Sequence, residues 1–166
     1  MDMISLEALR QARQQRRQLS EVQERVLHEA FQLIRAGRVA TVVALEAHTG
    51  LSSEEVHAAL RDLQAEGRIV HEAGAGGVVG AGGLSLLPTP HLLALDGRQL
   101  FTWCALDAAG IPAGLAVDAT VRSQCFTCQQ EVTIAYSAGT VMQALPTALC
   151  LWVAKPEVGQ SVVGDT

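Results

Sequence analysis

Aromatic side chains are scarce, 4% of the 166 residues, and charged ones amount to only 17%. The first shortage leaves Val, Leu and Ala to build the core. The second, beside 49% apolar residues, excludes a disordered chain. No apolar run reaches the roughly 18 residues of a membrane span. The polar N-terminus also lacks the apolar stretch of a secretory signal. The expectation is a cytoplasmic chain with no membrane partner. Positive charge is short as well. Lys and Arg number 12 against 17 Asp and Glu, giving a net charge of −5, whereas nucleic-acid binders carry a basic footprint. The one basic cluster, Arg10, Arg13, Arg16 and Arg17, reads as a solvated arm. No nucleic-acid partner is expected.

What the chain does have is helical periodicity, then turn signals, then cysteine. Residues 1–19 form a polar arm. Ser20 and Gln23 make a capping-box pattern, and Val22, Val26, Ala30, Leu33 and Ile34 follow on one face up to Gly37. A second helix is expected over 41–48, stopped by Gly50. A third starts at Ser52, with Glu55 completing a second box, and ends at Gly67. A short strand over 68–71, a glycine-crowded stretch over 74–83 and a returning strand over 84–87 complete the outline of a winged helix. The glycines read as a flexible wing. They lack the Lys-Ser/Thr ending of a phosphate loop.

Pro88 and Pro90 mark a boundary between lobes, 20–87 and 88–166. Beyond it, Asp96-Gly97 signals a tight hairpin. A helix is expected from Cys104, broken near Gly110 and Pro112. Strands flank a turn at Cys125 and Cys128, and a last apolar strand covers 149–153 with Cys150 in the core. The fold class is α+β: a three-helix, winged-helix-like lobe, then a mixed β-sheet lobe with a short helix after Cys104.

Four cysteines in a cytoplasmic chain are more often thiols, metal ligands or nucleophiles than disulfides. The segment Phe101-Thr102-Trp103-Cys104-Ala105-Leu106-Asp107 runs a strand into a helix at Cys104. There the helix macrodipole favours thiolate. Asp107 lies one turn on, within reach of the sulfur. Such a pair suits cleavage of a bond between a soft metal and carbon: sulfur captures the metal and the acid protonates the carbon. On spacing alone Cys104 reads more readily as a small buried hydrophobe and Asp107 as a cap. Cys125-Phe126-Thr127-Cys128 is open to four readings: half a zinc knuckle, a soft-metal dithiol, a redox pair or two inert thiols. None of the five histidines, His91 among them, makes a ligand pattern by itself.

Three blocks carry a resemblance to a known family. They are Leu100-Phe101-Thr102-Trp103-Cys104-Ala105-Leu106-Asp107, Ile111-Pro112-Ala113, and Ala119-Thr120-Val121-Arg122-Ser123 with Cys125. The chain resembles the organomercurial (alkylmercury) lyases, loosely over 35–156. The resemblance implies protonolysis of the carbon–mercury bond, giving a hydrocarbon and mercuric ion. Cys104 would bind mercury and Asp107 would move the proton, near the floor of a pocket. Cys125 would be structural, and Cys128 is a thiol outside the family pattern that could act as a substitute ligand. No organic cofactor is implied, since mercury is bound as substrate and product. The implied partners are the organomercurial, small cytosolic thiols and a mercuric reductase that accepts the product.

The family's second mercury-binding cysteine would fall immediately beyond Thr166. The 166 residues are therefore expected to bind mercury and to turn over slowly or not at all. The alternatives are a non-catalytic carrier of mercury or copper and a metal-responsive winged-helix regulator. The third helix weighs against the regulator: it carries Glu54, Glu55, Asp62 and Glu66 against Arg61, and phosphate contacts need cations.

Overall fold

A computed structural model describes residues 18–150. Three helices open the described chain: α1 (Glu21–Arg35), α2 (Val42–Thr49) and α3 (Ser53–Ala65). Their boundaries follow local chemistry. Ser20 and Ser52 cap α1 and α3 in reciprocal boxes with Gln23 and Glu55, and Thr41 caps α2. Gly50 ends α2 in the left-handed conformation, where a side chain would strain the backbone. The arginine-bearing arm falls outside the described residues.

Eight strands follow: β1 (Ile69–Glu72), β2 (Gly77–Ala81), β3 (Leu84–Ser85), β4 (His91–Leu95), β5 (Arg98–Thr102), β6 (Ala119–Gln124), β7 (Glu131–Ser137) and β8 (Thr140–Leu145). A single helix, α4 (Ala105–Leu115), joins β5 to β6. The strands form one sheet in the order β1-β2-β3-β5-β4-β6-β7-β8. The expected α+β class holds. The sheet, however, is antiparallel in every pairing rather than mixed. The reason is topological. The α4 crossover carries the chain past β4, so β5 and β6 run in the same direction but are not neighbours.

The glycine stretch is an exposed hairpin tip at Gly74 and Gly76 but buried strand from Gly77 to Ala81. β2 is buried along its whole length and paired on both sides. Its glycines serve close approach. A Cβ at Gly77 would lie 2.8 Å from the Ala40 carbonyl oxygen, which accepts from Val78 N–H at 3.1 Å, and one at Gly80 would lie 2.9 Å from Trp103 Nε1. The helix after Cys104 is not broken either, since α4 runs through Gly110 and Pro112. Ala108 and Pro112 are buried, so packing against the sheet outweighs the missing proline N–H.

β8 was not expected. It is created by the Ala138-Gly139 turn, both residues at positive φ. The strand expected over 149–153 is absent at Leu149 and Cys150, and its remainder lies outside the described residues. Cys150 is exposed rather than in the core, because the chain has already left the sheet after Leu145.

One hydrophobic cluster joins the helices to the sheet. It runs from Val26, Leu33 and Leu63 through Val78 and Leu84 to Leu93, Leu100, Val121 and Tyr136. No helix among the described residues is long and apolar enough to cross a membrane.

Candidate active site

Cys104 occupies the N-cap position of α4, with extended backbone (φ −150°, ψ 170°), directly after β5. Its S–H donates to Asp107 Oδ2 at 3.0 Å, and the Asp107 N–H donates back to Sγ at 3.4 Å. The capping geometry that ordinarily serves a Ser or Thr oxygen is here made by sulfur. The two residues singled out from the sequence therefore touch.

The state of the sulfur differs from the expectation. The helix terminus was expected to favour thiolate, yet the Cys104 thiol is pushed up to about 11. Burial is the larger cause, and the hydrogen bond to the Asp107 carboxylate is the second, because it favours the protonated sulfur. Backbone N–H groups pull the other way and lose. The resting pair is a thiol donating to an acceptor.

The surroundings fix this pair in place. The fully buried Thr102 donates its hydroxyl to the Cys104 carbonyl at 3.2 Å, and Thr89 donates its hydroxyl to the Thr102 carbonyl at 2.7 Å. Trp103 N–H donates to the Gly83 carbonyl at 2.9 Å. Gly83 has φ +94°, and a Cβ there would lie 2.6 Å from Asp107 Cγ. The glycine thus makes room for the carboxylate.

His91, at the start of β4, is buried and its Nδ1 lies 3.0 Å from Ser123 Oγ. Burial holds its imidazole below the usual histidine range, while the Asp107 carboxylate pulls the other way. Sequence reasoning passed over His91, Thr102 and Gly83. The one available signal was that the Gly82-Gly83 pair sits at a turn.

An open depression of about 550 Å³ is lined by Ala94, Asp96, Arg98, Asp118, Thr120 and Ser137 among others. It lies at the far end of β4, β5 and β6 from Cys104, so the cysteine is not on its floor. Cys125 and Cys128 belong to the β6–β7 connection: Cys125 is partly exposed and Cys128 exposed. No group of three or more His, Cys, Asp or Glu among the described residues could hold a metal ion.

Fold and site together define an α+β protein built around a hydrogen-bonded thiol–carboxylate pair at a strand–helix junction. Comparison with known proteins narrows that class. The sequence profile of the alkylmercury lyase family matches residues 84–165, the cysteine-bearing segment. The alkylmercury lyase of Bacillus cereus is 29% identical over 132 residues, covering 80% of this chain and 58% of that protein. That of Staphylococcus epidermidis is 31% identical over 132 residues, covering 80% and 59%. Among solved structures, the mercury-bound form of MerB2 superimposes with a TM-score of 0.73 at 29% identity, over 78% of this chain and 62% of that one. The chain thus spans about three-fifths of the length of these relatives.

Proposed function

We propose that this protein cleaves the carbon–mercury bond of organomercurials by protonolysis, with Cys104 as the mercury ligand and Asp107 as the proton carrier. The observation that carries this reading is the Cys104 S–H donating to Asp107 at 3.0 Å. A bare thiolate could capture mercury, but it would bring no proton to the site. Here the proton is already present and has a base to receive it.

The substrate arrives as an alkylmercury cation bound to a small thiol. Cys104 sulfur bonds to mercury, the small thiolate departs, and the S–H proton passes to Asp107. Asp107 then returns that proton to carbon. The electron pair of the carbon–mercury bond becomes the carbon–hydrogen bond, and hydrocarbon leaves. Mercury remains as mercuric ion on the Cys104 thiolate, and a small thiolate fills its second position. No electron is exchanged with any other group, and the reaction calls for no organic cofactor. Mercury and sulfur are both soft, which favours capture in water.

Methylmercury incubated with the protein and excess thiol should release methane, at the slow rate expected of a single mercury-binding thiolate, measured by gas chromatography. Cys104→Ser should abolish release and weaken capture. Asp107→Asn should leave capture and lower release by about 10²- to 10⁴-fold, the usual worth of a positioned acid. Methane release unchanged in Asp107→Asn would refute the assignment. Capture without release in the unaltered chain would leave a mercury carrier.

A further inference from the structure

We propose that Cys125 and Cys128 form a second, independent site: a dithiol clamp at the β6–β7 tip for a soft cation that takes two sulfur ligands, mercuric ion or cuprous ion. Three observations lead there.

The first is the turn itself. Cys125 N–H donates to the Gln130 carbonyl at 2.9 Å, and Gln129 N–H donates to the Cys125 carbonyl at 2.8 Å, with Gln129 at φ 59°. The loop is closed on itself and brings the two cysteines together. Backbone and side-chain hydrogen bonds from Cys128, with a further backbone one from Thr127, converge on the Cys125 sulfur and hold it below the ordinary thiol range. The turn itself thus sets the two cysteines on one closed loop before any metal arrives.

The second observation selects the cation. Zinc and iron–sulfur centres need three or four protein ligands. Among the described residues no third His, Cys, Asp or Glu completes such a group. Two thiolates without a third ligand satisfy only ions content with near-linear coordination, and both mercuric and cuprous ions favour thiolate sulfur.

The third is position. Phe101, Leu92 and Arg122 lie in one row across β5, β4 and β6. Cys104 follows Phe101 by three residues and Cys125 follows Arg122 by three. Because β5 and β6 run the same way, both cysteines leave the sheet at the same end. Their strands are two spacings apart, about 10 Å. On the proposed function, the clamp stands at the same end of the sheet as the place where mercuric ion is left. Its binding chemistry does not depend on that function.

The test uses the full chain as a Cys104→Ser/Cys150→Ser double variant, so that only Cys125 and Cys128 remain. Reduced, desalted protein is titrated with mercuric chloride, and separately with a cuprous salt under nitrogen. Near-ultraviolet sulfur-to-metal absorption and native mass spectrometry give stoichiometry and affinity. One ion per chain is expected. Adding Cys125→Ser or Cys128→Ser should weaken affinity by about a hundredfold or more, the gain of two tethered ligands over one. No binding by the double variant, or binding unmoved by the third substitution, overturns the clamp.

Should the double variant fail to fold, the unaltered chain decides. Loaded with two equivalents of mercury, it should protect both Cys125 and Cys128 from alkylation in peptide mapping. Alkylation of either at the metal-free rate overturns the proposal. The lyase reading fails separately, by absence of hydrocarbon release.

Discussion

Cys104 shows two local effects in opposition. The helix N-terminus stabilises negative sulfur, while burial and the Asp107 carboxylate oppose it, and the opposition wins. The residue block that marks the pair was legible in the sequence, and so was the one-turn spacing that makes the residues touch. The protonation state was not, because it depends on how far the junction is buried by strands that are distant in sequence.

The state has a pH signature. The folded thiol sits near 11 against an ordinary value of 9.0, so the folded chain keeps a proton that the unfolded chain releases. The stability this contributes is complete below pH 9 and is lost as pH rises toward 11. Melting temperature should therefore fall more steeply over that window in the unaltered chain than in Cys104→Ser. Parallel curves would contradict the assignment. His91 works at the opposite end. Burial keeps it neutral in the fold, so its contribution is full above about pH 6.5 and lost as pH falls. His91→Gln should flatten the acid limb of the same melting profile.

Helix caps were readable because they are written in adjacent residues: Ser20 with Gln23 and Ser52 with Glu55 need no tertiary information. The glycine strand was misread for the converse reason. Glycines signal turns when read locally, yet Gly77 and Gly80 are small because Ala40 and Trp103 press against them from elsewhere in the chain. Gly83 joins this element to the chemistry. Alanine there meets a backbone that L side chains rarely adopt, and its Cβ collides with the Asp107 carboxyl. Gly83→Ala should cost about 1–3 kcal/mol of stability. It should also lower hydrocarbon release further than that loss explains, because the carboxylate is displaced from sulfur. Denaturant midpoints and methane yield measured on one preparation check this. Full activity in a destabilised protein would remove Gly83 from the positioning set.

The whole described chain shares one sheet and one apolar cluster. β3 pairs with β5 across the Pro88 and Pro90 segment, and α1 and α3 rest on strands β1 to β3 of the same sheet. Helical and strand signals should consequently disappear in a single transition on heating, with circular dichroism and Tyr136 or Trp103 fluorescence coincident. Two separated transitions would show that the helices and the cysteine-bearing strands hold together independently. Strand order could not be deduced from the sequence, since antiparallel pairing across an α4 crossover depends on which strand fills the gap, here β4. The Asp96-Gly97 hairpin was legible and hinted only at the β4–β5 pair.

The half-buried, protonated sulfur has one more consequence, for survival under oxidising conditions. Peroxide attacks thiolate and largely ignores thiol. A cysteine that gives up its proton only as a metal takes its place is shielded from conversion to sulfenic acid while it waits. Cys104 can therefore stay reduced through an oxidative burst without a resolving disulfide, and Cys125, partly exposed and with its sulfur held below the ordinary thiol range, is by contrast the side chain on which such damage should first be recorded.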